Sequence, residues 1–248
     1  MKDLQKKCHC CDNGDYQEYS YVDTYKCNKC NHIYRHYKQD ATKFHESDVY
    51  RHGQFSKDKK TFAELSPSKR AVRSARCRRQ LSIVKHFLSP DKSLIDLATG
   101  KGFFLEEAKK FYKNLKANDL HRTSVSHNAI TNPEVEIIHC DILSMNESFS
   151  YDGITAFDVL EHIEDINNFV SKVHKILNKY LIIQVPCDRE PFPAPNKGIF
   201  DGHVHYFSKE SLEMLFCKKN LFSTEYIKKS VPGELAGGPE ILAVFKKI

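Results

Sequence analysis

Four short apolar runs, each ending on or beside an aspartate, organise the middle of this chain. Leu94 to Leu97 holds Asp96, a second run ends in Asp119, Val135 to Ile138 leads to Asp141, and Gly153 to Phe157 leads to Asp158. Short apolar runs that lack strict alternation, separated by helical spacing, predict strands buried on both faces, as in a parallel sheet. The first run passes straight into a glycine turn at Gly100 and Gly102 and then into Phe103 to Phe111, which reads as a helix. Ser68 to Leu88 reads as a helix ahead of that strand, with Pro67 and Ser68 at its start and Val72, Ala75, Ile83, Val84 and Phe87 as its buried stripe. Between Glu164 and Leu177, Ile166, Phe169, Val170, Val173 and Ile176 recur at helical spacing. Tyr180 to Val185 gives a fifth strand, Ser208 to Phe216 a helix capped by Ser208, and Phe222 to Tyr226 with Glu240 to Phe245 a closing pair of strands. The alternation predicts an α/β fold with a doubly wound, mostly parallel sheet.

In such a sheet ligands bind outside the carboxyl ends of the strands, so four acids placed there face one crevice. Asp119 follows Asp96 by 23 residues, near the spacing of about 20 at which an acid meets ribose hydroxyls after a glycine-rich turn. Gly100 and Gly102 let the backbone approach a ligand without Cβ interference. A dinucleotide site would instead want a third glycine where Leu105 stands. An acid in the turn also repels a pyrophosphate and favours a cationic group, such as an ammonium beside a sulfonium.

The segment from Asp96 through Leu97, Ala98, Thr99, Gly100 and Lys101 to Gly102 resembles the first motif of class I S-adenosylmethionine-dependent methyltransferases, an acid followed by a hydrophobic residue and G-x-G-x-G. Ala98 stands where the first glycine is usual. The resemblance covers roughly Lys92 to Ile248 and implies a seven-stranded Rossmann-like sheet whose last strand is antiparallel. It implies S-adenosylmethionine as cofactor, bound by Asp96, Ala98, Gly100 and Gly102 at the turn. By the same likeness Asp119 and Leu120 lie at the ribose, Asp141 and Ile142 flank the adenine, and Phe157 and Asp158 line the methionine end. FDVLEHIED, from Phe157 to Asp165, and GHVHYFSKESLEMLF, from Gly202 to Phe216, look like segments of the subgroup that methylates small metabolites, quinone precursors and sugars.

Methyl transfer to a hydroxyl requires loss of a proton, and histidine is the side chain matched to neutral pH. His162, four residues beyond the fourth strand, is the first candidate base, with a helix-start histidine as the plain alternative. His203 and His205 lie two apart, so on an extended segment both face one side, as bases or as a metal pair, although no carboxylate motif sits beside them in sequence. Glu161 is placed to orient a base or to bind a substrate hydroxyl. An amine acceptor needs only desolvation and a hydrogen-bond acceptor, so oxygen and nitrogen both stay open.

A separate signal lies at the N-terminus. Cys8, Cys11, Cys27 and Cys30 form two C-x2-C pairs separated by 15 residues, the spacing of a zinc ribbon. Four thiolates around one Zn2+ make a closed, structural site, and the first 35 residues of the expected ribbon, 1–38, hold too few apolar side chains to build a core without it. Cys10 could stand in for Cys11, and His32 for Cys30. Tyr16, Tyr19, Tyr21 and Tyr25 would furnish the hairpin between the pairs.

Length allows one full α/β domain, 92–248, plus this ribbon, joined through residues 39–91, which comprise a polar linker or lid from Gln39 to Ser68 and the basic helix. Nine cysteines in 248 residues do not spell a secreted disulfide scaffold: the count is odd, and no charged-then-apolar segment opens the chain. No apolar run approaches the 18 residues of a membrane helix. The expected setting is cytoplasmic, away from membranes. A net charge of +6 suits an acidic or phosphorylated small-molecule acceptor and does not demand nucleic acid. Lys69, Arg70, Arg73, Arg76, Arg78 and Arg79 concentrate that charge on one helix, as a solvated face or as a clamp for phosphate or carboxylate. Pro186 to Phe200 is a loop long enough to cover the crevice. Two other functions fit these features: an RNA methyltransferase gripping its substrate with ribbon and basic helix, and a noncatalytic binding module in which Ala98 marks a decayed cofactor turn. The resemblance of a zinc ribbon joined to a methyltransferase to sugar-tailoring enzymes favours a sugar, sugar nucleotide or phosphorylated metabolite of surface-polysaccharide assembly.

Overall fold

The run Leu94–Leu97 is buried at every position, as expected of a central strand covered on both faces. Its side chains alternate between two cores. Leu94 packs with Leu81, Val84 and Leu88 on one face of the sheet, and Ile95 and Leu97 pack with Phe169, Leu212 and Phe216 on the other. The computed structural model describes residues 7–18, 24–35, 65–187, 203–230 and 239–248. The expectations for Tyr19, Tyr21, most of the Gln39 to Ser68 linker and most of the Pro186 to Phe200 loop lie outside the described residues.

In chain order the elements are β1 (Tyr16–Glu18), β2 (Thr24–Cys27), β3 (Ile33–Arg35), α1 (Pro67–Phe87), β4 (Leu94–Leu97), α2 (Phe103–Ala108), β5 (Leu115–Asp119), α3 (Arg122–Thr131), β6 (Glu136–His139), β7 (Tyr151–Phe157), α4 (Ile166–Ile176), β8 (Leu177–Pro186), β9 (His205–Tyr206), α5 (Lys209–Cys217), β10 (Phe222–Lys229) and β11 (Glu240–Lys247). The main sheet has seven strands in the order β10-β11-β8-β7-β4-β5-β6. β8, β7, β4, β5 and β6 run parallel, and β11 is antiparallel to both its neighbours. The chain builds outward from β4 through β5 to β6, then returns to place β7 on the other side of β4. That reversal opens a crevice at the carboxyl ends of β4 and β7, where ligands of doubly wound sheets bind.

Local sequence accounts for most element limits. Pro67 occupies the first turn of α1, and the Ser66 hydroxyl accepts from the Lys69 N–H. Ser208 caps α5 through a reciprocal pair with Ser211. The stripe expected on α1 holds in its second half, where Val84 is buried and Ile83 and Phe87 pack against the core, and is corrected in its first: Val72 is exposed at 45% and Ala75 is exposed, and the other buried residues are Cys77, Gln80 and Leu81. The first half of α1 therefore stands clear of the sheet, and only its second half is packed. α2 stops at Ala108 rather than Phe111, and Lys109 to Thr131 holds a helix, α3, that hydrophobic periodicity does not reveal because its buried residues are Ser124 and Asn128.

The cysteine-rich segment is not a separate body. Its strands form a second sheet in the order β1-β2-β3-β9, and β9 comes from the chain beyond β8, with Ile33 opposite Tyr206 and Tyr34 opposite His205. Cys10, Cys27 and Cys30 belong to the same core as Phe169, Leu212 and Phe216. The Ser208 hydroxyl that caps α5 also donates to the Cys30 carbonyl at 2.8 Å, and Lys218 Nζ donates to the His9 carbonyl at 2.8 Å. Among the described residues no helix is long and apolar enough to cross a membrane.

Candidate active site

At the end of β4 the backbone enters the left-handed region three times within five residues, at Ala98 (φ 51°), Gly100 (φ 55°) and Gly102 (φ 72°). For Ala98 this conformation costs about 1–2 kcal/mol that a glycine would not incur. The turn is held from both sides. Asp119, at the end of β5, accepts the Gly100 N–H on Oδ2 and the His121 N–H on Oδ1, each at 2.8 Å. From α3, Asn128 Nδ2 donates to the Gly100 carbonyl at 2.8 Å, and Asn132 Nδ2 donates to Asn128 Oδ1 at 3.0 Å. The polar buried face of α3 thus exists to brace the turn, and Gly102 leaves it room: a Cβ there would overlap Asn128 Oδ1 and lie 2.8 Å from Asn132 Nδ2.

Asp96 sits beneath the turn, 3% exposed, and accepts from the Thr155 hydroxyl of β7 at 2.7 Å. Burial in this apolar floor pushes its carboxyl up to about 7, against the hydrogen bonds from Thr155 and Thr99. In front lies a cavity of about 310 Å³ whose wall includes Asp96, Ala98, Gly100, Phe157 and Asp158 among the residues expected from sequence. Gly102, Asp119, Leu120, Asp141 and Ile142 are not part of that wall. Gly102 and Asp119 shape the turn from behind, and Asp141 caps the helical turn Ile142–Ser144 by accepting the Leu143 N–H at 2.8 Å, with Ile142 buried below it.

Two residues that sequence reasoning assigned elsewhere enter the wall: Arg73 and Arg76 of α1. Arg76 grips Asp158 through two hydrogen bonds of 2.6 and 2.8 Å and also pairs with Glu240. Asp158 is therefore anchored to α1 rather than facing a ligand alone. The basic run is largely a solvated face, with Lys69, Arg70, Arg73 and Arg78 exposed, and part of it also docks α1 onto α2 and β11: Arg70 pairs with Glu106, Arg78 with Glu107 and Arg79 with Glu240. Arg73 makes no ion pair among the described residues and stands with Lys101 at the cavity wall. Of the six cations expected to form a clamp, Arg73 and Arg76 reach the cavity wall, where Lys101 of the turn joins them. Pairing of Arg76 with Asp158 had no sequence signal, because the two lie 82 residues apart.

The three candidate histidines separate into two environments. Glu161, in the helical turn Leu160–His162 after β7, is 1% exposed. Its Oε1 lies 3.9 Å from His162 Nε2 and 4.0 Å from His203 Nε2, and the two rings meet edge to face at 4.7 Å. His205 does not share a side with His203, contrary to expectation. It is 1% exposed, its Nδ1 lies 3.1 Å from His32 Nε2, and its Nε2 lies 2.8 Å from the Ile163 carbonyl. Burial, then the neighbouring His32 and His9, hold its imidazole well below the ordinary value, so it stays neutral and is a poor proton acceptor. The reason for the reversal is the pairing of β9 with β3, which commits His205 to the cysteine-rich sheet. The absence of a carboxylate beside His203 is likewise corrected: Glu161 supplies one, from 42 residues earlier in the chain.

The sulfurs of Cys8, Cys11, Cys27 and Cys30 lie within 4.8 Å of one another, with Cys8–Cys30 and Cys11–Cys27 each at 3.5 Å. Four sulfurs around a tetrahedral ion at about 2.3 Å stand roughly 3.8 Å apart, so this cluster fits one. Cys8, Cys10 and His32 form a second grouping that offers only three ligands and shares Cys8 with the first. His32 Nδ1 lies 3.7 Å from Cys8 Sγ, which makes His32 a bridge from the cysteines to His205.

A family model described as a methyltransferase domain matches residues 69–223. The chain belongs to this methyltransferase family. No curated protein matches it. Its fold is similar to magnesium protoporphyrin IX methyltransferase from Synechocystis with bound SAM, at a TM-score of 0.59 and 12% identity over 86% of this chain and 100% of that one. It is similar to the N-methyltransferase NodS from Bradyrhizobium japonicum in complex with S-adenosyl-L-homocysteine, at 0.56 and 17% over 84% and 96%. A putative methyltransferase from Bacillus halodurans gives 0.56 and 17% over 70% and 99%. At these identities the likeness is one of fold. The match to the methyltransferase domain starts after the cysteine cluster, and within it lie the turn at Ala98, the Arg76 anchor and the Glu161 cluster.

Proposed function

We propose that this methyltransferase takes its methyl group from S-adenosylmethionine and passes it to an oxygen or nitrogen of a small polar acceptor. The observation that carries this reading is the braced left-handed turn between Asp96 and Asp119 at the switch point of the sheet, with a buried acid that suits a cationic ligand. Asp96 would face the cationic end of the donor, the turn from Ala98 to Gly102 would pass beneath it, and Asp119 and Leu120 would approach the ribose. Asp141 and Ile142 would flank the adenine. Phe157 would line the methionine end, with Asp158 oriented there by Arg76. The solved relatives crystallised with S-adenosylmethionine or S-adenosylhomocysteine support the same donor.

Transfer is an in-line displacement: an acceptor electron pair forms the bond to the methyl carbon as the carbon–sulfur pair returns to sulfur. Holding donor and acceptor in line can supply about 7–11 kcal/mol of the barrier. Arg73 and Lys101 at the cavity wall favour an acceptor bearing phosphate or carboxylate. We take that acceptor to be a sugar, sugar nucleotide or phosphorylated metabolite of surface-polysaccharide assembly, on the likeness of the cysteine-ribbon and methyltransferase arrangement to sugar-tailoring enzymes. His162 and His203, beside Glu161, are the residues placed to handle an acceptor proton; His205 is a positioning residue. Cys8, Cys11, Cys27 and Cys30 would hold a structural Zn2+, which supplies cross-linking and no open coordination position.

Thermal unfolding with S-adenosylmethionine and S-adenosylhomocysteine tests the donor. At a hundredfold excess over Kd, a ligand that binds only the folded chain stabilises by about 2.7 kcal/mol, a midpoint rise of roughly 5–10 °C at this size. Asp119→Ala removes both the ribose acid and the tie to Gly100, and the shift disappears. No shift for either ligand on the wild type would sink the reading.

The pH dependence follows from Asp96. A cation in the crevice requires the ionised carboxylate, whereas burial has moved the carboxyl from near 3.8 to about 7. Donor affinity is therefore level above pH 7 and falls by about tenfold per unit below it. The ligand-free protein shows the opposite trend. A group whose folded pKa is raised stabilises below its unfolded value, and that contribution is lost as pH climbs to about 7. Calorimetric titration at pH 6 in buffers of different ionisation heat should register a released proton; Asp96→Asn should remove that release.

A further inference from the structure

The Glu161, His162 and His203 cluster has the makings of a second metal site, chemically unlike the cysteine cluster. One oxygen and two imidazole nitrogens lie within 4.8 Å of one another. Two ligands sharing one ion at bonds near 2.1 Å stand about 3.0–3.4 Å apart at octahedral or tetrahedral angles, so the side chains, at 3.9 and 4.0 Å from Glu161 Oε1, close by about half an ångström to take up an ion. The backbone that carries them is also fixed. The Val204 N–H donates to the Glu161 carbonyl at 2.8 Å and locks the segment bearing His203 against the turn bearing Glu161 and His162. Glu161 and His203 are buried, whereas the His162 side chain is 21% exposed, so the group is closed at the back and open on one side. The turn leaves β7 directly after Asp158, which places the cluster at the crevice end of the sheet.

We propose that Glu161, His162 and His203 bind one divalent transition ion, of the zinc or manganese kind, as a two-histidine, one-carboxylate set with positions left open for the acceptor. Two imidazoles disfavour Mg2+ and Ca2+, which take oxygen ligands, and a three-ligand set leaves coordination sites that four thiolates do not. The acceptor class that suits such an ion carries a hydroxyl next to a second oxygen, as in a diol or a hydroxy acid. With His162 and His203 as ligands the ion takes over the proton-handling role proposed for them: the acceptor hydroxyl loses its proton to solvent water, its oxygen pair forms the new carbon–oxygen bond, and the carbon–sulfur pair goes to sulfur, which leaves as a neutral thioether. This use of the ion rests on the methyl-transfer reading; its binding does not.

The test uses the full chain, with the zinc content of the cysteine cluster measured first and MnCl2 then titrated in. Free aqueous Mn2+ is counted by its paramagnetic resonance signal, and thiolates compete poorly for this hard ion. The expected result is one Mn2+ held per wild-type chain, with His162→Gln and His203→Gln each weakening it about tenfold or more. Both variants should keep their zinc and their thermal response to S-adenosylhomocysteine. No Mn2+ bound by the wild type, or equal binding in the variants, overturns the site. If His203→Gln fails to fold, the more exposed His162→Gln gives the same readout. Mn2+ binding without any response to the methionine cofactors would leave the metal site standing and remove the donor assignment instead.

Discussion

Gly102→Ala is expected to weaken cofactor binding by about 100-fold or more and to cost the fold about 2–4 kcal/mol. Alanine at φ 72° carries the left-handed penalty of about 1–2 kcal/mol. The added methyl group also has nowhere to go: it overlaps Asn128 Oδ1, and Asn128 is fully buried with its amide committed to the Gly100 carbonyl. Either the asparagine moves and strands a buried carbonyl, at about 1–3 kcal/mol, or the backbone of the turn moves. Both displace the peptide that Asp119 holds. The melting midpoint should drop by roughly 5–15 °C, and affinity for S-adenosylhomocysteine by about 100-fold or more, measured by unfolding and by titration calorimetry. Gly14→Ala is the control, since nothing lies within 4 Å of the carbon it would add. Normal binding by Gly102→Ala would show that the turn is not the cofactor seat.

Loss of the Zn2+ proposed for the cysteine cluster should do comparable damage to the cysteine-rich sheet and the core it shares. Cys27→Ser takes away one of four sulfurs, and zinc content should fall from one per chain to below about a tenth, because the remaining thiolates cannot close a tetrahedron. Cys27 and Cys30 are part of the core that holds Phe169, Leu212 and Phe216, and β3 is paired with β9. The collapse therefore reaches past the cysteine-rich sheet to His205, the Ile163 carbonyl and the turn that carries Glu161 and His162. Expected readouts are an early unfolding transition absent from the wild type, and rapid amide exchange at 203–207, with residues 94–102 still protected. Cys10→Ser, equally buried but outside the four-sulfur set, should keep its zinc and lose only packing. Zinc lost from Cys10→Ser and kept in Cys27→Ser would move the site to the Cys8, Cys10 and His32 grouping.

The contrast between α1 and α3 shows where sequence reading succeeds and where it stops. Both ends of α1 were legible from Pro67 and the periodic apolar residues, since capping and hydrophobic spacing are local. Yet Val72 and Ala75 proved exposed, because nothing in the spacing states how far the helix overhangs the sheet. α3 was invisible because its inner face is Ser124 and Asn128, and a polar face is buried only when a specific partner, here the Gly100 carbonyl, waits for it. The shared sheet of β3 and β9 could not be read either. β9 is two residues long, and its pairing spans more than 170 positions.

What the sequence determined by itself were the features set by neighbours along the chain. These are the order of the main-sheet strands and of the helices with an apolar face, the glycine turn between Asp96 and Asp119, the paired cysteines, and the Ser208 cap, all consequences of backbone preference, periodicity and short-range hydrogen bonding. Tertiary structure alone decided which charges and imidazoles meet. It spent the arginines of α1 on Asp158, Glu240 and the acids of α2, and it sent His205 to the cysteine-rich sheet while bringing His203 to Glu161. Those partners are fixed by where the elements pack, and the free energy that places them is spread over the whole core rather than written in any one segment.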